Sequence, residues 1–169
     1  MATQGFLDRV SGNFKRIIAS VTGTPDAIPA GGADGKLDVS WMPVGVAPEV
    51  TICPAFEDLT AGNFVDLFLS GGVIQARKAD ATTASKPAHG FVLANVTAPA
   101  NATVYAPSNT NTALSGLTIG TDYFLSTTPG AVTATPPTGA GNLSMYIGRA
   151  TKTTEIVMTG SPGEAVEMA

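Results

Sequence analysis

His89 is the only histidine and Cys53 the only cysteine in a chain of 169 residues that also carries 13 acidic side chains. Any reaction chemistry would have to be built from those few groups. His89 lies in "KPAHGFVL". As a metal ligand it needs a second His or Cys at a ligand spacing. As a general base it needs a Ser or Cys nucleophile and an orienting carboxylate. The sequence offers neither pattern, so His89 is read as a turn or interface residue. Cys53, being alone, can close no intrachain disulfide and build no thiolate metal site. Glu57 and Asp58 are adjacent, and paired carboxylates are the chemistry of glycoside cleavage. Neighbouring acids beside a Thr-Ala-Gly turn are ordinarily solvated, however, and aromatics make up only 7% of the chain, which is thin for sugar platforms. "AGGADGK" departs from the phosphate-binding pattern G-x-x-x-x-G-K-[ST] and has no clear strand before it. No enzyme activity, cofactor or metal is expected.

Binding by charge is limited in the same way. The net charge is -4, and phosphate contacts need clustered Lys and Arg, so nucleic acid is not an expected partner. Arg9, Lys15 and Arg16 do outweigh Asp8 near the N-terminus, and the rest of the chain is acidic. No window approaches the length of a membrane span, and the N-terminus lacks the pattern of a secretory signal, so neither a membrane nor an export route is expected. The triplets at Asn95, Asn101 and Asn142 fit the glycosylation pattern and are read as chance in a Thr-rich sequence. Only 13% of residues are charged, where about 25% is typical. The surface must therefore be rich in Thr, Ser, Asn, Gly and Ala, which is unusual for a free monomer.

The elements that would position these residues fall into four segments. In residues 1–23, Leu7, Val10, Phe14, Ile17 and Val21 recur at steps of three and four, the a/d seam of an amphipathic helix, with Phe6 and Ile18 widening the stripe. Thr3 is a candidate N-cap, and Gly23 and Pro25 supply the stop. An isolated helix of that length is marginal in water, so the seam is read as an oligomer or anchor interface. Residues 24–48 are rich in Pro and Gly and read as an extended linker. Within it, "DVSWMPVG" presents Trp41 and Met42 for docking into a hydrophobic pocket of a partner or subunit.

Residues 49–159 read as a β domain. "EVTICPAF" is a first strand, with Pro54 marking an edge, a bulge or its end. "NFVDLFLS" and "VIQARKA" flank Gly71 and Gly72 as a hairpin, because that turn needs positive φ angles. Apolar residues occupy both faces of the first of these strands, which is expected to be central or to meet a neighbouring subunit. "HGFVLANV", "ATVYAPS", a strand, Pro-Gly turn and strand in "GTDYFLSTTPGAVTATPP", and the closing pair "NLSMYIGRAT" and "TEIVMT" complete it. Residues 160–169 read as a surface tail. The expected fold is mainly β, a compact β-barrel or β-sandwich knob preceded by an N-terminal α-helix and extended linker.

Two stretches carry a resemblance. "AGNFVDLFLSGGVIQARKADATTASKPAHGFVLANV" resembles the small β domain of capsid decoration (cement) proteins of tailed bacteriophages, and "LSGLTIGTDYFLSTTPGAVTATPPTGAGNLSMYIGRATKTTEIVM" is similar to a module of phage head-fibre and tail-fibre proteins. "ADGKLDVSWMP" looks like the joining segments that precede such domains. Together they cover most of the chain after residue 31. The resemblance implies a structural virion protein on the capsid exterior, bound to the major capsid protein, self-associating as a homotrimer, and stabilising the head or extending from it as a fibre. The alternative is a tail-fibre or baseplate adhesin that binds a host surface glycan or protein, with Tyr105, Tyr123 and Tyr146 as candidate aromatic platforms.

Overall fold

The computed structural model describes residues 5–10, 13–20, 27–29 and 48–169. The chain divides into two compact units, Met1–Ala47 and Pro48–Ala169.

In the first unit, β1 (Gly5–Val10) pairs antiparallel with β2 (Asn13–Ser20), and β3 (Ala27–Pro29) runs parallel to β2. These strands stand where the heptad spacing predicts one helix, and that expectation is corrected here. Val10 faces Asn13 across the pair, so only Ser11 and Gly12 separate the strands, a length and composition suited to a tight hairpin. Phe14, Ile17 and Ile18 are residue types that favour strands. The same apolar positions satisfied a helical period and a hairpin, and a short run does not discriminate between them.

The second unit is built entirely on strands and one short 3-10 turn. Its first sheet has β4 (Val50–Pro54), β5 (Phe64–Ser70), β6 (Val73–Lys78), β7 (Gly90–Phe91) and β8 (Asn101–Tyr105) in the order β4-β8-β7-β5-β6, each neighbour antiparallel. Ser70 faces Val73 across a turn in which Gly71 and Gly72 have φ of 58° and 81°. Positive φ at both central positions is what glycine supplies without a Cβ penalty. Pro54 ends β4, an edge strand, where its missing N–H costs no ladder bond.

The second sheet joins β9 (Thr110–Asn111), β10 (Asp122–Leu125), β11 (Val132–Thr133), β13 (Tyr146–Lys152) and β14 (Glu155–Met158) in the order β11-β10-β13-β14-β9. A separate pair links β12 (Leu143–Ser144) to β15 (Val166–Glu167). The segment set apart as a tail therefore carries a paired strand, after the 3-10 turn Pro162–Glu164.

Both five-stranded sheets are open, and among the described residues no closed barrel is seen. The first sheet nonetheless curls until its outer strands touch at one point. Ala55, just beyond β4, makes a parallel bridge to Ala76 of β6, and Phe56 N–H donates to Ala76 O at 2.8 Å. Inside the curl lies one core, with Cys53, Ala55, Leu59, Val65, Ala76, Val92, Ala102 and Val104. On the other face of the sheet, Phe64 and Phe91 join Leu125, Met145, Ile147, Ile156 and Met158 of the second sheet region in a second core. Strand β5 thus serves two cores from its two faces, which explains why apolar residues fill both.

Cys53 points into the first core, and burial pushes its thiol pKa up. Alkylation by iodoacetamide at pH 8 should be at least about tenfold slower in the native protein than in urea, because the thiolate is the reactive form. Mass spectrometry of timed samples reads this directly. Equal rates would show that β4 opens readily from the curl.

Candidate functional site

The polar residues singled out for chemistry are spent on structure. Asp66 of β5 is buried and faces Arg77 of β6 in register. Arg77 Nε donates to Asp66 Oδ2 at 2.7 Å, and Nη2 donates to Ser85 O at 2.9 Å. Its guanidinium also lies 4.1 Å from the centre of the Phe68 ring, a cation–π contact. Arg77 thus ties β5, the Ser85 loop and Phe68 together and acts as a clamp on its own hairpin.

His89 completes this cluster. Its Nδ1 is 3.0 Å from Asp66 Oδ1 and 3.3 Å from Leu67 N. One ring nitrogen cannot both donate to the carboxylate and accept from the amide. The hydrogen bond is that of Leu67 N–H, which donates to Nδ1, and the Asp66 carboxylate lies beside the same nitrogen. An Asp–His pair of this kind orients the ring in nucleophilic catalysis, but among the described residues no hydroxyl or thiol is hydrogen-bonded to His89. His89 N–H further donates to Val65 O at 2.8 Å. The residue read as belonging to a turn or interface pins the loop after β6 to strand β5.

Glu57 and Asp58 are likewise occupied. Glu57 Oε1 accepts from Lys78 N–H at 2.9 Å, and Asp58 Oδ1 accepts from Ala98 N–H at 2.9 Å. Glu57 is held to the end of β6 and Asp58 to the loop before β8, each bound to a separate part of the backbone. Asp122 accepts from the Tyr146 hydroxyl at 3.4 Å and lies 3.9 Å from Arg149 Nε on the surface. Among the described residues, no group of three or more His, Cys, Asp or Glu stands together to hold a metal ion, and no helix is long and apolar enough to cross a membrane.

The three tyrosines have separate fates. Tyr123 is buried, and its hydroxyl accepts from Thr118 N–H at 3.0 Å. Tyr146 packs edge-on against Phe124. Tyr105 stacks on Phe91, with centroids 5.6 Å apart and planes 12° apart, and its remaining surface borders a cavity.

The proposed anchor residues fall in the first unit. Leu7 stands opposite Arg16, Val10 opposite Asn13, Phe14 opposite Arg9 and Ile17 opposite Phe6. In a strand, positions an odd number apart belong to opposite faces, so spacing by threes and fours marks no single line there. Val21, Trp41 and Met42 lie outside the described residues.

The surface feature that sequence reading missed is apolar. Ile52 is 66% exposed and Leu69 68%, and Val50, Phe56, Val73 and Ile74 are exposed with them. Val50, Ile52, Val73 and Ile74 sit on the two outer strands of the first sheet, Leu69 is near the end of β5 before its turn, and Phe56 follows β4. No charged residue occurs in 50–56 or in 67–75. Natural sheet edges are usually guarded by charge, by proline or by a covering element, and here Pro54 on β4 and Arg77 and Lys78 on β6 stand at the C-terminal ends of their strands, away from Val50, Ile52, Val73 and Ile74. The signal was present in the sequence as two long uncharged apolar runs, but strands buried in a core look the same.

Against known proteins, the chain matches no protein-family model and no curated protein.

Proposed function

We propose that the chain is a structural virion protein of a tailed phage, decorating the exterior of the head by packing against the major capsid protein and against its own copies as a homotrimer. The observation that carries this reading is the set of exposed apolar side chains along β4 and around the β5–β6 turn, Ile52, Leu69 and Val73 among them. Exposed apolar side chains gathered at sheet margins are the kind of surface that protein–protein contacts use, and the polar groups of the body are engaged in holding strands and loops. The resemblance of residues 61–96 and 114–158 to decoration and fibre modules points to a virion as the setting. Residues before Pro48, including Leu7, Val10, Phe14, Ile17, Val21, Trp41 and Met42, are the proposed anchor, and the edge face of the β body is a second contact.

Heads lacking this protein, incubated with the purified chain, should show density at regular lattice positions by cryo-electron microscopy. The double variant Ile52→Asp, Val73→Asp should lose that density while its urea midpoint stays near the parent's, since exposed substitutions usually change stability by no more than about 0.5 kcal/mol. Bare heads with the parent protein would refute the reading. Full occupancy by the variant would move the contact elsewhere on the chain.

The alternative, an adhesin for a host surface, draws on the uncharged cavity beside Tyr105.

A further inference from the structure

Strand β7 pairs with β8 only where Phe91 meets Tyr105. Beyond that point residues 92–96 leave β8, and between them lies a cavity of about 410 Å3. This is within the size range of small-molecule sites, roughly 300–1,000 Å3. One wall is β8 itself. Ala102 and Val104 are buried in the core of the curl, so the alternation of the strand leaves Asn101, Thr103 and Tyr105 along the cavity.

The opposite wall runs from Leu93 to Val96 and is held in place by backbone bonds. Leu59 and Val96 each donate to the other's carbonyl at 2.9 Å, and Val92 N–H donates to Asn63 O at 3.0 Å. Asn95 Oδ1 accepts from Ala61 N–H at 2.9 Å. That bond fixes the orientation of the amide and leaves Nδ2 as a donor. The Tyr105 ring is held by its stack on buried Phe91. The cavity is thus preformed, and a ligand need not order its walls.

Its chemistry is selective. No Asp, Glu, Lys, Arg or His lines it, so it has no counter-charge for a phosphate, carboxylate or amine. It offers two amides, a hydroxyl and a phenol, which together donate and accept as sugar hydroxyls also do. The flat apolar ring of Tyr105, with Leu93 and Val96, matches the C–H face of a pyranose. We propose that this cavity binds a neutral carbohydrate, one or two rings in size, with Tyr105 as the platform and Asn95, Asn101 and Thr103 as the hydrogen-bonding set. The site is separate from assembly on the head, so bare heads in the microscopy experiment would leave it standing. It deepens the host-surface reading by naming a ligand class for it.

The full isotope-labelled chain, titrated with glucose, galactose, mannose and N-acetylglucosamine, should show saturable amide shifts confined to residues 91–105 with at least one sugar. Asn101→Ala should weaken that binding roughly tenfold, the worth of one or two lost hydrogen bonds. Tyr105→Ala should abolish it, and Tyr105→Phe, which keeps the ring on Phe91, should retain part of it. Absence of saturable shifts with all four sugars would overturn the proposal, as would shifts centred elsewhere. Binding unchanged in both Asn101→Ala and Tyr105→Ala would do the same.

Discussion

Replacing Phe91 by alanine is expected to destabilise the β body by about 3–5 kcal/mol. Phe91 is fully buried, lies edge-on to Phe64 with centroids 6.0 Å apart, and carries the stacked Tyr105 on its other side. It belongs to the core that both five-stranded sheets share, so its removal opens a void that neither sheet can close by itself. Domains of this size have a total stability of roughly 5–15 kcal/mol, so the loss is a large fraction of the whole. Urea unfolding followed by far-ultraviolet circular dichroism should show a lower midpoint with an unchanged slope, the mark of altered stability without altered compactness. Phe91→Leu, which keeps much of the volume, should recover most of the loss. A change below about 1 kcal/mol in the alanine variant would mean that the sheets do not depend on this contact.

The second large effect is expected at Asp66. Its side chain is 3% exposed, whereas those of Arg77 and His89 are 21% and 35% exposed. Breaking a fully buried pair costs about 3–5 kcal/mol because a charge is left without a partner. Arg77 can turn toward water and keep its Phe68 contact, so Asp66→Ala should cost less, about 2–3 kcal/mol. A double-mutant cycle with Arg77→Ala separates the pair from its surroundings and should return a coupling of roughly 1–2 kcal/mol. If Asp66→Ala shifted stability by less than about 0.5 kcal/mol, the pair would be no better than an ordinary surface salt bridge. The same variant tests the assignment of His89. A structural His89 loses order when Asp66 is removed, and its ring resonances should broaden or shift.

The β body was legible from the sequence wherever turn chemistry and alternation agreed. Gly71 and Gly72 between "NFVDLFLS" and "VIQARKA" gave the hairpin, and Pro129 and Gly130 gave the turn between β10 and β11, because each pair of residues permits few backbone paths. The segment "HGFVLANV" shows where this fails: only Gly90 and Phe91 form a strand, since the chain then departs to build the wall of the cavity. Nothing local to Val92 or Leu93 requires that departure. The N-terminal run was misjudged for a related reason. Apolar residues at 7, 10, 14 and 17 suit a helix by spacing, yet Ser11 and Gly12 fall where a two-residue turn also fits, and so short a run satisfies both patterns.

The Asp66–Arg77–His89 cluster could not be read from spacing either. Asp66 and Arg77 become partners through hairpin register, which the Gly-Gly turn does fix, but His89 arrives from a separate loop. The apolar edge face was hidden differently. Val50, Ile52, Val73 and Ile74 are the residues a buried strand would carry, and only the order β4-β8-β7-β5-β6 reveals that their strands lie at the margins.

The order of strands along the chain also bears on how the protein is made. The first sheet is complete once Tyr105 has emerged from the ribosome, and all its partners are by then available. The second sheet is not: β10 must wait for β13, and the short β9 pairs with β14 across more than forty intervening residues. Until the last part of the chain is released, the outward faces of Phe64 and Phe91 have no cover from Met145, Ile147, Ile156 and Met158. Nascent chains therefore pass through a half-built state with one sheet formed and its apolar back bare, a state open to association between neighbouring nascent chains. Synthesis of many copies from one message would bring such chains close together, and the time between Tyr105 and Met158 sets how long each is at risk.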